Sequence, residues 1–234
     1  MVAAANPNTV VVLAGGSVVE MPWIGEVKGL LNSGLGGEAG GDAVARILLG
    51  EVNPSGKLPF TMPRSLTDGP LKTARQYPGI REEGKQWWQE YYDEGVFIGY
   101  RWYDTQNIPV DFAFGHGLSY TSFELSNASI KRCGKAWKVS ATIRNTGSRE
   151  GAEVVQLYVG DAEASVARPS KELKGFEKVC LKPGESRKVS FTIDRQALSF
   201  FDAQAHDWVA EPGEFHALLG TSSDNIAADL KFVL

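Results

Sequence analysis

Cysteine, histidine and surplus positive charge are all scarce in this sequence of 234 residues. Two cysteines cannot form the framework of a disulfide-stapled domain. The 24 basic side chains are outnumbered by 28 acidic ones, and the net charge of −4 argues against a nucleic-acid partner. The three histidines, His116, His206 and His216, lack the spacing to other ligands that a metal site requires. We therefore predict no metal and no cofactor.

Targeting and membrane-spanning signals are also missing. Residues 1–27 contain no lysine or arginine, whereas a secretory signal begins with positive charge. The apolar run over residues 9–14 is far shorter than the ~20 residues that cross a bilayer. The sequence therefore predicts a soluble chain without a membrane partner, and it leaves open whether the protein is periplasmic, secreted or cytoplasmic.

The first third of the chain has the pattern of an α/β layer. Residues 9–14 are β-branched and do not alternate with polar residues, which predicts a short, fully buried strand. Residues 38–49 fit a helix that ends at Gly50, and residues 27–33 fit either a second strand or a short helix. One or two such units cannot close an α/β core. We therefore expect residues 1–75 to be the end of a domain whose beginning is missing.

An unusual density of aromatic side chains follows a turn-rich stretch. Residues 53–86 contain many Asn, Gly and Pro residues and predict a long surface connection. Nine aromatic residues then lie within residues 77–103, which indicates either a large packing anchor or a platform for a ligand. The nine are Tyr77, Trp87, Trp88, Tyr91, Tyr92, Phe97, Tyr100, Trp102 and Tyr103.

From residue 123 onward the sequence changes to short alternating strands. Apolar side chains occupy every second position in residues 137–143, 155–159, 189–193 and 215–219. Turn residues such as Asn, Gly and Pro separate these stretches. The pattern predicts an antiparallel β-sandwich of the immunoglobulin type over residues 121–234.

A glycine-rich stretch and the cysteines each suggest a chemistry. Residues 34–39 fit the G-x-G-x-x-A pattern of a loop that cradles a pyrophosphate. However, no acidic residue follows at the ribose-binding position about 20 residues on, so we favour close backbone packing. Cys133 and Cys180 have no neighbouring histidine and are interpreted as core or edge thiols, with a mutual disulfide as the alternative. We interpret His116 as structural and His216 as facing solvent.

Five carboxylates between residues 82 and 94 lie among the aromatics. A glycosidase needs two carboxylates, one protonated and one ionised, on either side of the bond that it cleaves. The plainer interpretation is that those before residue 91 are solvated loop charges. For the remaining two, a structural ion pair with Arg101 is an equally good interpretation. The five are Glu82, Glu83, Glu90, Asp93 and Glu94.

Ordered segments along the chain resemble family 3 glycoside hydrolases of the β-glucosidase type. Short motifs further on, Asn145-Thr146-Gly147, Glu150-Gly151 and Leu173-Lys174-Gly175-Phe176, are similar to the fibronectin type III-like domain that often ends these enzymes. The longer matching segments are residues 8–13 (Asn-Thr-Val-Val-Val-Leu), 16–23 (Gly-Ser-Val-Val-Glu-Met-Pro-Trp), 37–43, 49–59, 92–104 and 112–120.

The resemblance implies a (β/α)8 barrel first, then an α/β sandwich and then the fibronectin-like domain. It places the catalytic aspartate on the barrel and the acid/base glutamate ahead of residues 8–13, so we assign no catalytic residue in this chain. The expected division is residues 1–75 as the C-terminal part of the α/β sandwich, 76–120 as an aromatic-rich interdomain connection and 121–234 as the fibronectin-like sandwich. The barrel and the start of the α/β sandwich are the expected partners, from the same precursor or from a separate chain.

Two functions from different classes fit these features. The first is the C-terminal portion of a retaining β-glucosidase-like exo-hydrolase that removes terminal β-D-glucosyl residues from β-glucosides or oligosaccharides and is inactive alone. Trp87 and Trp88 are then the candidate substrate-binding residues, and domain packing is the plainer interpretation of both. The second is a stand-alone, non-catalytic carbohydrate-binding or scaffold module. The sequence leaves open the sugar, its linkage and the oligomeric state.

Overall fold

The computed structural model describes residues 2–234, and it begins with a small parallel α/β unit. After a short helix α1 (Val2–Ala5), strand β1 (Val10–Leu13) pairs in parallel with β2 (Gly29–Asn32). Helix α2 (Gly40–Leu48) follows the second strand. The predicted strand at residues 9–14 and helix at 38–49 are thus confirmed, and residues 27–33 contain a strand. Met1, the first residue of the predicted range 1–75, lies outside the described residues.

The α/β unit is largely open to solvent. Val10 and Val12 of β1 are 49% and 41% exposed, and Leu49 at the end of α2 is 75% exposed. The prediction of a fully buried strand is therefore wrong for this structure, because two strands and one helix leave the outer face of β1 uncovered. Among residues 2–234, no helix has the length and apolar character needed to cross a membrane; α2 has nine residues.

An irregular middle segment connects this unit to the sandwich. Strand β3 (Met62–Pro63) and strand β4 (Val110–Phe112) pair antiparallel, and helix α3 (Tyr100–Thr105) precedes β4 in the chain. Met62 is 1% exposed and Tyr103 of α3 is 8% exposed, so both anchor the segment. The turn-rich connection predicted over residues 53–86 is therefore not a continuous loop. Strand β3 interrupts it, and the buried side chain of Met62 in that strand fixes it in place.

The rest of the chain forms two antiparallel sheets that pack face to face. The three-stranded sheet has the order β5-β6-β9 and the four-stranded sheet has the order β13-β12-β7-β8. Helix α4 (Arg195–Leu198) and a hairpin of β10 and β11 lie between β9 and β12 in the chain. The strands are β5 (Phe123–Cys133), β6 (Ala136–Asn145), β7 (Gly151–Asp161), β8 (Glu172–Leu181), β9 (Ser186–Ile193), β10 (Phe200–Asp202), β11 (Asp207–Val209), β12 (Glu214–Gly220) and β13 (Ile226–Val233).

The hydrophobic core of the chain lies between these two sheets. Alternate residues point inward, as Val139, Ala141 and Ile143 of β6 do, and each is at most 1% exposed. Val155 and Leu157 of β7 face them from the other sheet and are equally buried. The predicted sandwich and the predicted fold class, an α/β part followed by an all-β sandwich, are confirmed. The division at residues 75 and 120 stays a prediction.

A buried asparagine joins the ends of three sandwich segments. Asn145 is fully buried, and its Nδ2 donates to the carbonyl oxygens of Arg149 and Leu181 at 2.7 and 2.9 Å. Its Oδ1 accepts from the Thr121 hydroxyl and from the Gly147 amide. Every polar atom of the side chain is thus paired, which removes the cost of burying an amide. The Asn-Thr-Gly motif therefore closes the sandwich at the end nearest the middle segment.

Replacing one core valine tests the packing of the sandwich. Val155→Ala removes apolar atoms from a site with no exposure, and we expect it to lower the free energy of unfolding by about 2 kcal/mol. Val233→Ala is the matched control, since Val233 is 64% exposed at the end of the same sheet and its loss costs less than about 0.5 kcal/mol. Urea titration followed by near-ultraviolet circular dichroism measures both. Equal losses in the two variants would contradict the placement of the core.

Candidate functional site

The two predicted sugar-contacting tryptophans lie on one projecting loop. Ile80 and Gln89 exchange two backbone hydrogen bonds of 2.9 Å and so close the chain into a loop over residues 80–89. Trp87 and Trp88 are 64% and 58% exposed within it. We call this segment the aromatic loop. Its indole rings are therefore available to a ligand or to another domain.

The base of the aromatic loop is held by its neighbours. Gly79 has φ +95°, and a Cβ atom there would lie 2.8 Å from the carbonyl oxygen of Gln89, so the close approach of the two strands requires glycine. The Arg75 guanidinium lies 3.8 Å from the centroid of the Tyr91 ring, and its Nε is 3.1 Å from Asp93 Oδ2. The loop thus projects from a fixed base.

The carboxylates that accompany the aromatics are engaged locally. Asp93 pairs with Arg75, and Glu94 Oε2 accepts a 3.0 Å hydrogen bond from Gln76 Nε2. Glu82, expected to be a solvated loop charge, forms an ion pair with Lys85. The predicted pairing of Asp93 and Glu94 with Arg101 is wrong, because a distant residue of the sandwich takes the arginine. These carboxylates therefore lie in or near the aromatic loop. The structure does not combine any two of them into the protonated acid and ionised base that a glycosidase needs.

Arg101 instead joins a partly buried group of charges that we call the Glu172 cluster. Arg101 Nη2 lies 2.9 Å from Glu172 Oε1, while Arg168 Nη2 and Lys174 Nζ lie 3.1 and 3.3 Å from Glu172 Oε2. Arg168 Nη1 also lies 2.9 Å from Asp161 Oδ2. The Arg168 side chain is 8% exposed. The cluster therefore ties helix α3 to the edge of the sandwich through charges that water barely screens.

The pKa of Glu172 shows how strongly the cluster favours the ionised form. Burial alone raises the pKa of a carboxyl. Here the positive charges of Lys174 and Arg101, with the hydrogen bond from Arg168, outweigh burial and hold the pKa of Glu172 below its ordinary value of 4.5. The carboxylate is therefore fully ionised at neutral pH, and its stabilising contribution disappears only in acid.

Other aromatics of residues 77–103 pack rather than project. The Tyr100 ring stacks on Phe114 with centroids 4.6 Å apart, and its hydroxyl accepts a 2.8 Å hydrogen bond from the Leu173 amide. Trp102 Nε1 donates to the Asp68 carbonyl at 2.8 Å. Residues 100–103 thus have the packing role that was one of the two predicted alternatives, while the role of a ligand platform stays a prediction for the exposed aromatic loop.

A second junction lies where the α/β unit meets β7. Lys57 Nζ is 2.6 Å from Glu153 Oε1 and donates to the Gly117 carbonyl at 2.7 Å. These groups line a half-open cavity of about 690 Å³ that also includes His116 and Asp224. Burial lowers the pKa of His116, so its imidazole is neutral at physiological pH. The ion pair between Lys57 and Glu153 therefore connects the chain after α2 to strand β7 at this cavity.

The remaining candidate residues lie apart from the aromatic loop. Cys133 and Cys180 are exposed free thiols, so the alternative of a mutual disulfide is wrong for this structure. His216 lies on the outer face of β12, since Phe215 and Ala217 on either side of it are 1% and 0% exposed, and the expectation that it faces solvent is confirmed. Its side chain is 23% exposed, and its Nδ1 lies 2.8 Å from a carboxylate oxygen of Asp229. Across residues 2–234 the structure shows no group of three or more His, Cys, Asp or Glu side chains close enough to hold a metal ion.

The glycine-rich stretch at residues 34–41 forms the turn between β2 and α2. Gly34 has φ +60° and so occupies the left-handed region. A Cβ atom at Gly36 would lie 3.5 Å from the Cα atom of Gly40, which is an ordinary contact, whereas one at Gly34 or Gly37 would have no heavy atom within 4 Å. The backbone packing that we predicted there is therefore limited to Gly36.

Comparison with known proteins gives the chain its family. The model of the glycosyl hydrolase family 3 C-terminal domain matches residues 1–100, and that of a fibronectin type III-like domain matches residues 153–223. The chain belongs to glycosyl hydrolase family 3. It corresponds to the C-terminal α/β and fibronectin-like portion of the family, as the ordered motifs predicted.

Relatives with solved or curated descriptions match nearly the whole chain. Thermostable beta-glucosidase B of Acetivibrio thermocellus is 48% identical over 229 residues, which are 96% of this chain and 29% of the relative. An exo-alpha-(1->6)-L-arabinopyranosidase of Bifidobacterium breve is 45% identical over 235 residues, with 100% and 30% covered. The crystal structure of a Bifidobacterium adolescentis family 3 beta-glucosidase superimposes with a TM-score of 0.93 at 45% identity and covers 100% of this chain and 34% of that one. The chain thus spans about 30% of the length of the curated relatives that it matches.

Sequence reasoning missed the Glu172 cluster and the Lys57–Glu153 pair. Arg101 and Glu172 are far apart in sequence, and Lys57 and Glu153 are further apart still. No local spacing marks such pairs, because only the packing of α3 and the α/β unit on the sandwich brings them together. In the sequence, these four charged residues cannot be distinguished from ordinary charged residues of a protein surface.

Removing Arg168 tests whether the Glu172 cluster holds the segments together. Arg168→Met leaves Asp161 and Glu172 without their shared partner, and we expect a loss of about 3 kcal/mol in unfolding free energy at pH 7. Because the pKa of Glu172 lies below 4.5, its ion pairs persist above that pH and are lost as the pH falls through the lowered value. The deficit should therefore shrink below pH 4.5.

Arg187→Met is the matched control for this prediction. Arg187 and Glu185 form an exposed pair at 3.9 Å, with side chains 50% and 43% exposed, so its loss should cost less than about 0.5 kcal/mol at any pH. Urea unfolding at several pH values measures both variants. A deficit for Arg168→Met that is no larger than the control, or that grows in acid, would contradict the role assigned to the cluster.

Proposed function

We propose that the chain forms the C-terminal portion of a retaining, β-glucosidase-type exo-hydrolase that releases terminal β-D-glucosyl residues. The observation that carries the proposal is a match of 48% identity across 96% of the chain to a thermostable beta-glucosidase, together with the TM-score of 0.93 to a solved one. The chain spans about 30% of these relatives. The remaining parts of the enzyme supply the nucleophile and the acid/base.

The chemistry of the residues present supports this division of labour. A retaining mechanism needs two carboxylates at ~5–5.5 Å, one of them protonated. Burial does raise the pKa of the Asp104 carboxyl, as a general acid requires. However, Asp104 Oδ2 lies 3.0 Å from Lys171 Nζ and the side chain is 13% exposed, so it is an ion-pair partner beneath the surface. We assign no catalytic residue to this chain.

The exposed apolar surface of the α/β unit supports the proposal that another domain covers it. Val10, Val12, Leu48 and Leu49 are each at least 41% exposed on neighbouring elements of one unit. Apolar surface of this kind is covered when the missing strands of an α/β layer are added. In the proposed enzyme the start of the α/β sandwich covers it and the (β/α)8 barrel lies beyond, in the same precursor or in a separate chain.

The domain ranges of the proposed enzyme follow the sequence prediction. Residues 1–75 complete the α/β sandwich, residues 76–120 connect it, and residues 121–234 form the fibronectin-like domain. Within the connection, the Glu172 cluster fixes Arg101 against the sandwich, while Trp87 and Trp88 of the aromatic loop remain exposed. Trp87 and Trp88 then contact the sugar units at the entrance to the barrel, as expected from their exposure.

Activity measurements test the proposed division. The purified 234-residue chain alone should not hydrolyse 4-nitrophenyl β-D-glucopyranoside, because it lacks both catalytic carboxylates. A chimera in which this chain replaces the matching 229 residues of the Acetivibrio thermocellus relative should regain hydrolysis of that substrate. The relative truncated before those residues is the control and should be inactive.

Two outcomes would overturn the proposal. Turnover by the isolated chain, with contaminating hydrolase excluded, would mean that it carries its own catalytic residues. A chimera with native-like circular dichroism that fails to hydrolyse both the β-glucoside and 4-nitrophenyl α-L-arabinopyranoside would favour the stand-alone module. The second substrate is included because one relative is an arabinopyranosidase. Which of the two substrates the chimera prefers reports on the barrel of the relative, so hydrolysis of either one supports the proposal.

Substitution of the loop tryptophans tests their contact with substrate. In the chimera, Trp87→Ala and Trp88→Ala should lower kcat/KM for laminaribiose or cellobiose by about tenfold through KM, since stacking on the second sugar is lost. Hydrolysis of the aryl glucoside should change less than threefold. Phe176→Ala is the control, because Phe176 is 68% exposed on β8 of the sandwich. Unchanged disaccharide kinetics in both tryptophan variants would assign the aromatic loop to domain packing.

A further inference from the structure

A second group of exposed aromatic side chains lies on the sandwich, far along the chain from the aromatic loop. Strands β10 and β11 form a hairpin in which Phe200 pairs with Val209 and Phe201 pairs with Trp208. Directly opposed residues share one face of an antiparallel pair, and successive pairs alternate between faces. Phe201 and Trp208 are 48% and 59% exposed, so their face is the outer one.

The inner face of the hairpin fixes it to the sandwich. The guanidinium of Arg168, a member of the Glu172 cluster, lies 5.8 Å from the centroid of the Phe200 ring. Ala210, just after β11, is 4% exposed, and its carbonyl oxygen accepts a 3.0 Å hydrogen bond from Arg195 Nη2. The hairpin is therefore a rigid support, and its outer aromatic rings are held in place before any ligand arrives.

Three rings form a continuous surface on the outer face. The centroids of Phe201 and Trp208 are 5.8 Å apart at an angle of 73°, and the His206 ring centroid also lies 5.8 Å from that of Phe201. His206 has φ +56°, which turns the chain back into β11 at this position. We call these three residues the Trp208 surface. Trp208 is 59% exposed, so much of the indole is open for stacking.

Polar side chains at the hairpin tip lie close to the rings along the chain. Asp202 Oδ1 accepts hydrogen bonds from the Gln204 and Ala205 amides, and Asp207 Oδ1 accepts from the Trp208 amide. Asp202 and Asp207 form the pair that follows Phe201 and Trp208 in the register, so their side chains belong to the opposite face of the hairpin. Gln204 is exposed in the turn, and its side-chain amide offers a donor and an acceptor to hydroxyl groups at the tip.

We propose that the Trp208 surface binds a pyranose ring of a neutral polysaccharide. The apolar C–H face of a sugar ring stacks on an indole, while its hydroxyls can pair with the exposed Gln204 amide at the hairpin tip. The carboxylates repel a phosphate backbone, which excludes nucleic acid. Three side chains on a narrow hairpin offer far less than the ~800 Å² per partner of a stable protein interface. The choice of a glucan as the ligand rests on the proposed function.

The surface lies on the fibronectin-like domain and so adds a contact beyond the cleaved sugar. A polysaccharide held there stays near the enzyme while its end is trimmed, which raises the local concentration of chain ends. Monosaccharide and aryl glycoside substrates are too small to use it. The Trp208 surface therefore affects polymer binding and leaves small-substrate kinetics unaffected.

Affinity electrophoresis of the full 234-residue chain tests the proposal. Native gels containing barley β-glucan or laminarin should retard the chain relative to gels without polysaccharide. Trp208→Ala should weaken retardation about tenfold in apparent Kd, since one stacking contact is lost, and Trp208→Phe should restore most of it. Phe176→Ala is the matched control: its ring is 68% exposed, lies on β8 of the same domain and should have no effect.

Three results would overturn the proposal that the Trp208 surface binds a polysaccharide. They are the absence of retardation in both polysaccharides, retardation of Trp208→Ala equal to that of the unmodified chain, and an equal loss in Phe176→Ala. Near-ultraviolet circular dichroism confirms that each variant remains folded, since Trp137 lies in the core at 4% exposure. Binding is measured without turnover, so an inactive chimera together with glucan retention would reject the proposed hydrolase and keep this surface. An active chimera, together with no retention of the chain by either glucan, would keep the proposed hydrolase and reject the Trp208 surface as a binding site.

Discussion

The carboxylate of Glu172 is the point on which the arrangement of the segments depends. It receives Arg101 from the middle segment and Arg168 and Lys174 from the sandwich, all within 3.3 Å. Arg168 in turn reaches Asp161 and packs against Phe200 at the base of the β10–β11 hairpin. Unpaired, any of these partly buried charges would be costly. The β10–β11 hairpin is therefore positioned from this charged centre, whereas the aromatic loop is held by the contacts of Arg75 with Tyr91 and Asp93.

Stability is distributed unevenly along the chain, and the distribution matches its proposed role. The sandwich encloses a core that runs from Trp137 to Phe232, whereas the α/β unit exposes valine and leucine side chains. Polar joints such as Lys57 with Glu153 connect the two parts. A self-contained sandwich thus carries a unit whose apolar surface requires a partner, which suits a terminal portion of a larger hydrolase.

The sequence predicted what depends on local pattern and missed what depends on long-range packing. Alternation identified the sandwich strands, since one wet face and one buried face impose a period of two. Residues 27–33 stayed ambiguous because pairing with β1, which sequence spacing does not reveal, makes them a strand. The Asp93 and Glu94 pairing with Arg101 was wrong for the same reason: proximity in sequence favoured it, and Glu172 lies nearer in space. The exposure of Trp87 and Trp88 likewise depends on the Ile80–Gln89 closure of their loop.

The free cysteines have a consequence for how the protein behaves when it is oxidised. Cys133 ends β5, which contacts β13 at one edge of the sandwich, and Cys180 lies in β8, which contacts β9 at the opposite edge. No internal bond can join thiols placed this way without unfolding the domain. Each molecule instead carries two thiols that form disulfides only with other molecules, so oxidation produces covalent dimers and longer polymers.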